Sequence, residues 1–250
     1  MKKLKFTFKN AAGEELAGLL ELPENPKAFA LLAHCFTCGK DLKGAARIAR
    51  KLTENAIAVL RFDFTGLGNS EGDFSNTNFS SNISDLLCAV DYLRRQYEAP
   101  SLLIGHSLGG SAILSIAGEI PEAKAVVTIG SPGELTHVKR LFKDDVENIN
   151  QHGAYPVELA GRVFTLKKQM LDNIQEHKIA HKVFAMNKPL LIFHATEDDT
   201  VLIEQAEKIF KAAKHPKSFI SLGKADHLLT HAQAAEYVAD IIISWSECYL

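Results

Sequence analysis

The chain has 250 residues and a formal net charge of −2, with acidic and basic residues interspersed along the sequence. This balance argues against a nucleic-acid-binding protein or an anionic-membrane surface, and four cysteines are too few for a disulfide scaffold. No apolar run approaches the roughly 20 residues that span a bilayer. The basic start is not followed by the apolar stretch of a signal peptide. We therefore expect a cytoplasmic protein with its own hydrophobic core.

Strand and helix patterns alternate along most of the chain. Residues 1–22 predict a β-hairpin. Apolar runs of strand length predict buried strands at residues 28–35, 57–64, 101–105, 125–130, 189–195 and 218–222. Helical apolar spacing predicts helices at residues 41–56, 83–93, 108–120, 204–213 and 229–247. Strands that are apolar throughout and alternate with helices indicate an α/β fold, here with a mostly parallel eight-stranded sheet flanked by helices.

One interval breaks this alternation. Residues 133–188 are polar, contain pieces with helical spacing such as LTHVKRLF, and show no clear strand. We interpret them as a helical lid insertion over the C-terminal edge of the sheet, where open α/β sheets bind ligands. Extra peripheral helices are the alternative. On the first interpretation, residues 1–132 and 189–250 form the core domain.

The sequence LIGHSLGGS, residues 103–111, places one serine between glycines at the end of a predicted strand. A G-x-S-x-G motif between a strand and a helix lifts the serine hydroxyl above the sheet on a sharp turn. Side chains two residues before and after the serine would clash, which explains Gly105 and Gly109. The pattern predicts Ser107 as a nucleophile and the N–H of Leu108 as one oxyanion donor. A structural serine in a glycine turn is the alternative.

A serine nucleophile requires a base, and in this strand order an acid and then a histidine follow it in the chain. Glu197, Asp198 and Asp199 compete for the acid position in TEDDTV, after a predicted strand. His227 follows the last strand and is the expected base, with His231 as its rival. The remaining histidines, including His34 and His106, are interpreted as surface or turn residues.

These segments resemble the α/β-hydrolase family, with GHSLG as the elbow, HATEDDTV as the acid turn and ADH as the histidine turn. DFTGLGNSEG resembles a loop of its esterase, lipase and thioesterase-like members. The resemblance implies the α/β-hydrolase fold and hydrolysis of a carboxylic ester or thioester without a cofactor. The family's H-G-x-x-D-x-x-V pattern, laid on His194 to Val201, selects Asp198. Its oxyanion segment places the second N–H donor at Phe36.

Two departures from the family pattern are Cys35 and Thr65, which stand where glycine and arginine are usual. HCFTCGKD and LAGRVFTLKKQMLDN resemble a subgroup that is often fused to an OsmC-type domain. Cys35 and Cys38 form a C-x-x-C motif with three interpretations: small residues lining a turn, a redox pair, or half of a zinc site that lacks a second pair. If the two cysteines bond, we expect the tightened loop to misaim the Phe36 N–H and to suppress activity.

The sequence thus predicts a serine hydrolase that forms an acyl-enzyme on a small-molecule ester or thioester, with Ser107, His227 and Asp198 in the roles of nucleophile, base and orienting acid. A serine peptidase and a non-catalytic or thiol-redox partner protein on the same scaffold are the alternatives. We expect no metal and no nucleic-acid partner, and a homodimer is left open.

Overall fold

The protein is described by a computed structural model that covers residues 1–250. The strands are β1 (Lys2–Lys9), β2 (Glu15–Leu22), β3 (Ala28–Ala33), β4 (Ile57–Phe62), β5 (Leu102–His106), β6 (Ala125–Ile129), β7 (Ala154–Leu159), β8 (Arg162–Lys167), β9 (Leu190–His194) and β10 (Lys217–Ser221). The helices are α1 (Lys43–Glu54), α2 (Phe79–Gln96), α3 (Leu108–Ile116), α4 (Val146–His152), α5 (Lys168–Glu176), α6 (Ile179–Met186), α7 (Glu204–Ala212) and α8 (Ala232–Ser246).

Eight of the strands form one sheet in the order β1-β2-β4-β3-β5-β6-β9-β10. The pairs β1–β2 and β2–β4 are antiparallel, and the other pairs are parallel. Every residue of β3, β4, β5, β6 and β9 is buried, since helices cover both faces of the sheet. The predicted mostly parallel eight-stranded sheet is therefore confirmed.

The hydrophobic core has two parts, one on each side of the sheet. A smaller cluster joins the sheet to α1 and α8. A larger cluster joins the opposite face to α2, α3 and α7. The parallel strands end together at one edge, so this edge collects the loops that follow β3, β5, β6, β9 and β10.

The segment between β6 and β9 differs from the wholly helical insertion that the sequence predicts. It contains a 3₁₀ helix (Leu135–Phe142), α4, α5 and α6, but also the antiparallel hairpin β7–β8. Ala160 and Gly161 turn this hairpin with φ of +51° and +74°, values that suit a two-residue turn between antiparallel strands. The expectation of no strand was wrong because these short strands alternate weakly between buried and exposed residues, and one contains Pro156.

This segment contributes buried residues to the hydrophobic core. Leu135, Phe142, Leu159 and Met170 are each at most 5% exposed and belong to the larger core cluster. The segment therefore folds onto the sheet as part of one core. None of the helices combines the length and the apolar character needed to cross a membrane.

Candidate active site

Ser107 lies on the turn between β5 and α3 with φ +54° and ψ −128°. This is a strained conformation for a residue with a side chain. An added Cβ would lie 2.3 Å from the Gly110 Cα atom at Gly105, and 2.3 Å from the His34 carbonyl oxygen at Gly109. These distances are too short for any side chain, so both glycines are required by the close approach of neighbouring backbone.

The structure brings together Ser107, His227 and Asp198, which come from three loops at the same edge of the sheet. The His227 Nε2 atom lies 3.0 Å from Ser107 Oγ, and His227 Nδ1 lies 2.7 Å from Asp198 Oδ2. Asp198 follows β9 and His227 follows β10, whose parallel pairing sets their ends side by side. The geometry is that of a serine hydroxyl coupled to a base that a carboxylate orients.

Asp198 is held in place by its own turn. Its Oδ1 atom accepts hydrogen bonds from the backbone N–H groups of Thr200, at 3.0 Å, and Val201, at 2.9 Å. Burial alone would raise the pKa of Asp198, but the hydrogen bonds from His227 and the Val201 N–H hold it below the ordinary value. The carboxylate is therefore ionised at neutral pH and faces His227 with its second oxygen.

The competing residues at these turns point elsewhere. Glu197 and Asp199 are exposed. Glu197 lies 3.9 Å from Lys224 Nζ, and Asp199 accepts a hydrogen bond from the Thr200 hydroxyl at 3.3 Å. His231 is exposed before the start of α8. The structure thus separates Asp198 and His227 from their rivals by burial and orientation.

Gly130 is a site residue that the sequence patterns did not reveal. It follows β6 with φ +55°, and an added Cβ would lie 3.3 Å from His227 Nδ1 and 3.4 Å from Asp198 Oδ2. The loop after β6 passes directly beneath the contact between these two side chains. A glycine after a strand was the only available signal, and it has no meaning until β9 and β10 are placed beside β6.

Two backbone N–H groups at the site have no hydrogen-bond acceptor within the protein. Leu108 is the first residue of α3, and neither its N–H nor that of Phe36 donates to a protein acceptor. Phe36 and Ser107 line the same cavity. The N-terminal end of α3 adds partial positive charge beside Ser107.

The loop that carries Phe36 is fixed by a buried ion pair. Asp63 accepts hydrogen bonds from the Lys40 backbone N–H, at 2.7 Å, and from Lys40 Nζ, at 2.5 Å. Arg61 donates to the Lys40 carbonyl and pairs with buried Glu21 at 2.5 Å. These contacts secure the C-terminal end of the Phe36 loop to β4 and the segment after it.

A cavity of about 270 Å³ opens above Ser107. Its lining residues are Cys35, Phe36, Thr37, Cys38, Ser107, Leu141, Glu158, Leu159, Ala160, Thr200, His227 and Leu228. Four of them, Leu141 and residues 158–160, come from the segment between β6 and β9. The side chain of Arg162 donates to the Thr37 carbonyl and so ties the β7–β8 turn to the Phe36 loop.

Cys35 and Cys38 are joined by a disulfide, with Cα atoms 5.3 Å apart. The interpretation as two unbonded residues lining a turn does not describe this structure. The zinc interpretation has no support either, because no group of three or more potential ligands is arranged for a metal ion. With the bond formed, the Phe36 N–H remains unpaired and the Ser107–His227 contact remains intact. This gives no support to the expectation that the disulfide disables the site.

We therefore predict that the oxidised protein is active and that reduction does not raise kcat. The Cys35→Ala/Cys38→Ser variant should unfold at lower denaturant concentration, since a bond closing a four-residue loop contributes about 2 kcal/mol in the chain-entropy model. Urea titration and ester turnover before and after dithiothreitol measure both effects. A several-fold rise in turnover on reduction would instead support the expectation from the sequence that the disulfide suppresses activity.

A sequence profile of a hydrolase family, described as serine aminopeptidase, S33, matches residues 24–150, which is half of the chain. The chain belongs to this α/β-hydrolase family. The structure of the esterase domain from a Rhodothermus marinus protein is 44% identical, with a TM-score of 0.81, and the match covers 100% of this chain and 99% of that one. Est1E from Butyrivibrio proteoclasticus with ferulic acid bound has a TM-score of 0.84 over 98% of both chains, but at 22% identity it supports the fold alone.

Curated relatives of this hydrolase are more distant. Palmitoyl-protein thioesterase ABHD10, mitochondrial, from Bos taurus is 26% identical over 151 residues, or 58% of this chain and 48% of that protein. The human protein of the same name matches to the same extent. The chain therefore spans about half the length of these relatives. The resemblance to the subgroup with an OsmC-type domain stays a prediction.

Proposed function

We propose that this protein is a serine hydrolase of carboxylic esters or thioesters that acts through an acyl-enzyme. The observation that carries the proposal is the hydrogen-bonded chain from Ser107 Oγ through His227 to Asp198, which starts on a strained elbow beneath an open cavity. A chance serine in a glycine turn would have neither a base at 3.0 Å nor a carboxylate behind that base.

In the first half-reaction, His227 Nε2 takes the Ser107 proton as the oxygen attacks the substrate carbonyl. The N–H groups of Phe36 and Leu108 donate to the oxyanion that develops. Asp198 stabilises the imidazolium, which then gives its proton to the leaving alcohol or thiol as the acyl bond breaks. Water repeats the sequence on the acyl-enzyme and releases the acid.

An ester or thioester is favoured over a peptide by the relatives. The esterase domain is 44% identical over the whole chain, and the mammalian relatives are named as thioesterases. Most of the cavity lining is apolar, which suits an acyl chain. The family description keeps a serine peptidase as the alternative.

A fluorophosphonate probe and a substrate panel test the proposal. We expect the probe to modify Ser107, as located by peptide mass spectrometry, and to block hydrolysis of p-nitrophenyl esters. The panel should contain short to long acyl esters, acyl-CoA thioesters and aminoacyl p-nitroanilides at equal concentration. Absence of both labelling and turnover would contradict the proposal, and preferred cleavage of the anilides would favour the peptidase.

The segment 133–188 is proposed as a lid that shapes the acyl-binding cavity. Leu141 lines this cavity and is 40% exposed, whereas Val163 on β8 is 71% exposed and lies outside it. We predict that Leu141→Ala lowers kcat/KM for an eight-carbon ester relative to acetate about fivefold, because about 1 kcal/mol of apolar contact is lost. Val163→Ala is the matched control and should leave that ratio unchanged. An unchanged ratio in both variants would show that Leu141 of the lid does not contribute to the choice of acyl chain.

The cytoplasmic location and the homodimer stay predictions. Reducing compartments disfavour disulfides, so the Cys35–Cys38 bond argues against the expected location. Alkylation of the protein in freshly lysed source cells, followed by mass spectrometry, would show whether the bond exists there.

A further inference from the structure

His106 is a buried histidine that the proposed reaction does not use. It is the last residue of β5, directly before Ser107, and only 4% exposed. Its Nε2 atom lies 2.7 Å from the backbone carbonyl oxygen of His227. The centroids of the two imidazole rings are 5.0 Å apart. The turn residue expected from the sequence is thus a core side chain in contact with the proposed base.

The contact fixes the tautomer of His106. A carbonyl oxygen can only accept a hydrogen bond, so the proton lies on Nε2. The Nδ1 atom is then bare, and it is buried without a hydrogen-bond partner. Apolar side chains surround a small cavity beside this ring, among them Leu32, Ile129 and Leu228. An unpaired polar atom in such surroundings costs free energy.

His106 also adds no charge to the site at neutral pH. Burial, followed by the neighbouring His227, lowers the pKa of His106 to about 3. The ring is therefore neutral at neutral pH. A charged ring at this distance would repel the imidazolium that forms on His227 during the reaction. A neutral donor can hold the segment without this effect.

The segment that carries His227 packs through Leu229, which is buried in the smaller core cluster and lies against Gly44 of α1. Asp226 closes a local turn by accepting from the N–H groups of Leu228 and Thr230. Its other backbone hydrogen bonds to the rest of the protein lie at the ends, where Gly223 accepts from Thr196, and Thr230 accepts from Arg47 at an exposed site. The bond from His106 is the buried backbone contact at His227 itself.

We infer that His106 is a positioning residue, whose Nε2–H holds the His227 backbone so that the imidazole reaches both Ser107 and Asp198. The inference rests on the proposed function, because it assigns the residue a role in setting up that reaction. The same β5 end therefore presents the nucleophile and fixes the base, and the distance between them is set by one strand terminus.

Matched substitutions separate the hydrogen bond from packing. His106→Gln retains an N–H donor at a similar reach, whereas His106→Phe retains the ring volume without a donor. We expect the Phe variant to lose about tenfold to a hundredfold in kcat with KM unchanged, since a misplacement of about 1 Å can cost 10² in rate. The Gln variant should recover most of that loss. His106→Leu, a smaller side chain without a donor, should behave like the Phe variant.

A second measurement does not depend on turnover. We expect the proton in the hydrogen bond between His227 and Asp198 to give a low-field resonance in NMR spectra of the wild type and the Gln variant. We expect this resonance to be broadened or lost in the Phe and Leu variants. Equal kcat and equal resonances in all four proteins would overturn the inference, as would equal losses in the Gln and Phe variants. If the wild type is neither labelled by fluorophosphonate nor active, the proposed function fails, while the resonance still tests the positioning by His106.

Discussion

Ser107→Ala is expected to abolish ester hydrolysis, with a fall in kcat of about 10⁶, the size found when the nucleophile of a well-studied serine protease is removed. The remaining N–H donors and cavity can still bind substrate, so KM should change little. Thermal unfolding should shift only slightly, since alanine occupies the same strained backbone and loses one hydrogen bond of a partly buried side chain. Steady-state kinetics and calorimetry on the purified variant measure both.

Ser115→Ala is the matched control for this loss. Ser115 is a buried serine on α3, 4% exposed, whose hydroxyl donates to the Ser111 carbonyl at 2.9 Å. It has no contact with His227 or the cavity. We expect this variant to keep wild-type turnover. If Ser107→Ala retained full turnover instead, another nucleophile would carry the reaction.

Asp198→Asn is expected to lower kcat by about 10⁴, as the equivalent change does in a well-studied serine protease. The structure gives a directional reason for a large effect. Oδ1 accepts two backbone N–H groups, from Thr200 and Val201, so the amide oxygen of asparagine must occupy that position. Its NH₂ group then faces His227 Nδ1 and donates to it. The proton of His227 moves to Nε2, where it blocks acceptance of the Ser107 proton.

Asp199→Asn and Glu197→Gln serve as neighbouring controls. Each should change kcat by less than about threefold, because exposed charges at these positions contribute little to the interactions that orient His227. All three variants should be compared at the same pH and with the same ester. A large loss of kcat in Asp199→Asn with none in Asp198→Asn would assign the orienting acid to Asp199 instead. Losses of kcat of similar size in all three variants would indicate that the substitutions destabilise the turn and that no single carboxylate orients His227.

The sequence was most informative where one short motif specifies one turn. GHSLG requires a strand, a sharp elbow and a helix within a few residues, and the structure has β5, Ser107 and α3 there. The placement of His227 and Asp198 at the same edge as Ser107 was predictable because each follows a strand of the same parallel sheet. The choice of Asp198 over Asp199 needed the family pattern, since both carboxylates follow β9 closely.

Gly130 and His106 were not predictable, for a different reason. Each matters through an element distant in sequence: Gly130 through the side chains of Asp198 and His227, and His106 through the His227 carbonyl. The β7–β8 hairpin was missed because its alternation is interrupted by Pro156 and by exposed apolar Val163. Short edge segments of this kind take their structure from the surface on which they pack.

Leu159 contributes both to the shape of the cavity and to the stability of the fold. It lines the cavity above Ser107, yet it is only 5% exposed and belongs to the larger core cluster. A substitution that widens the cavity here also removes packing from the core, so adaptation to a new substrate draws on the folding stability of the whole domain. Divergence of specificity in this protein should therefore proceed first at Leu141, whose exposed side chain can change at little cost, and reach Leu159 only after stabilising substitutions elsewhere.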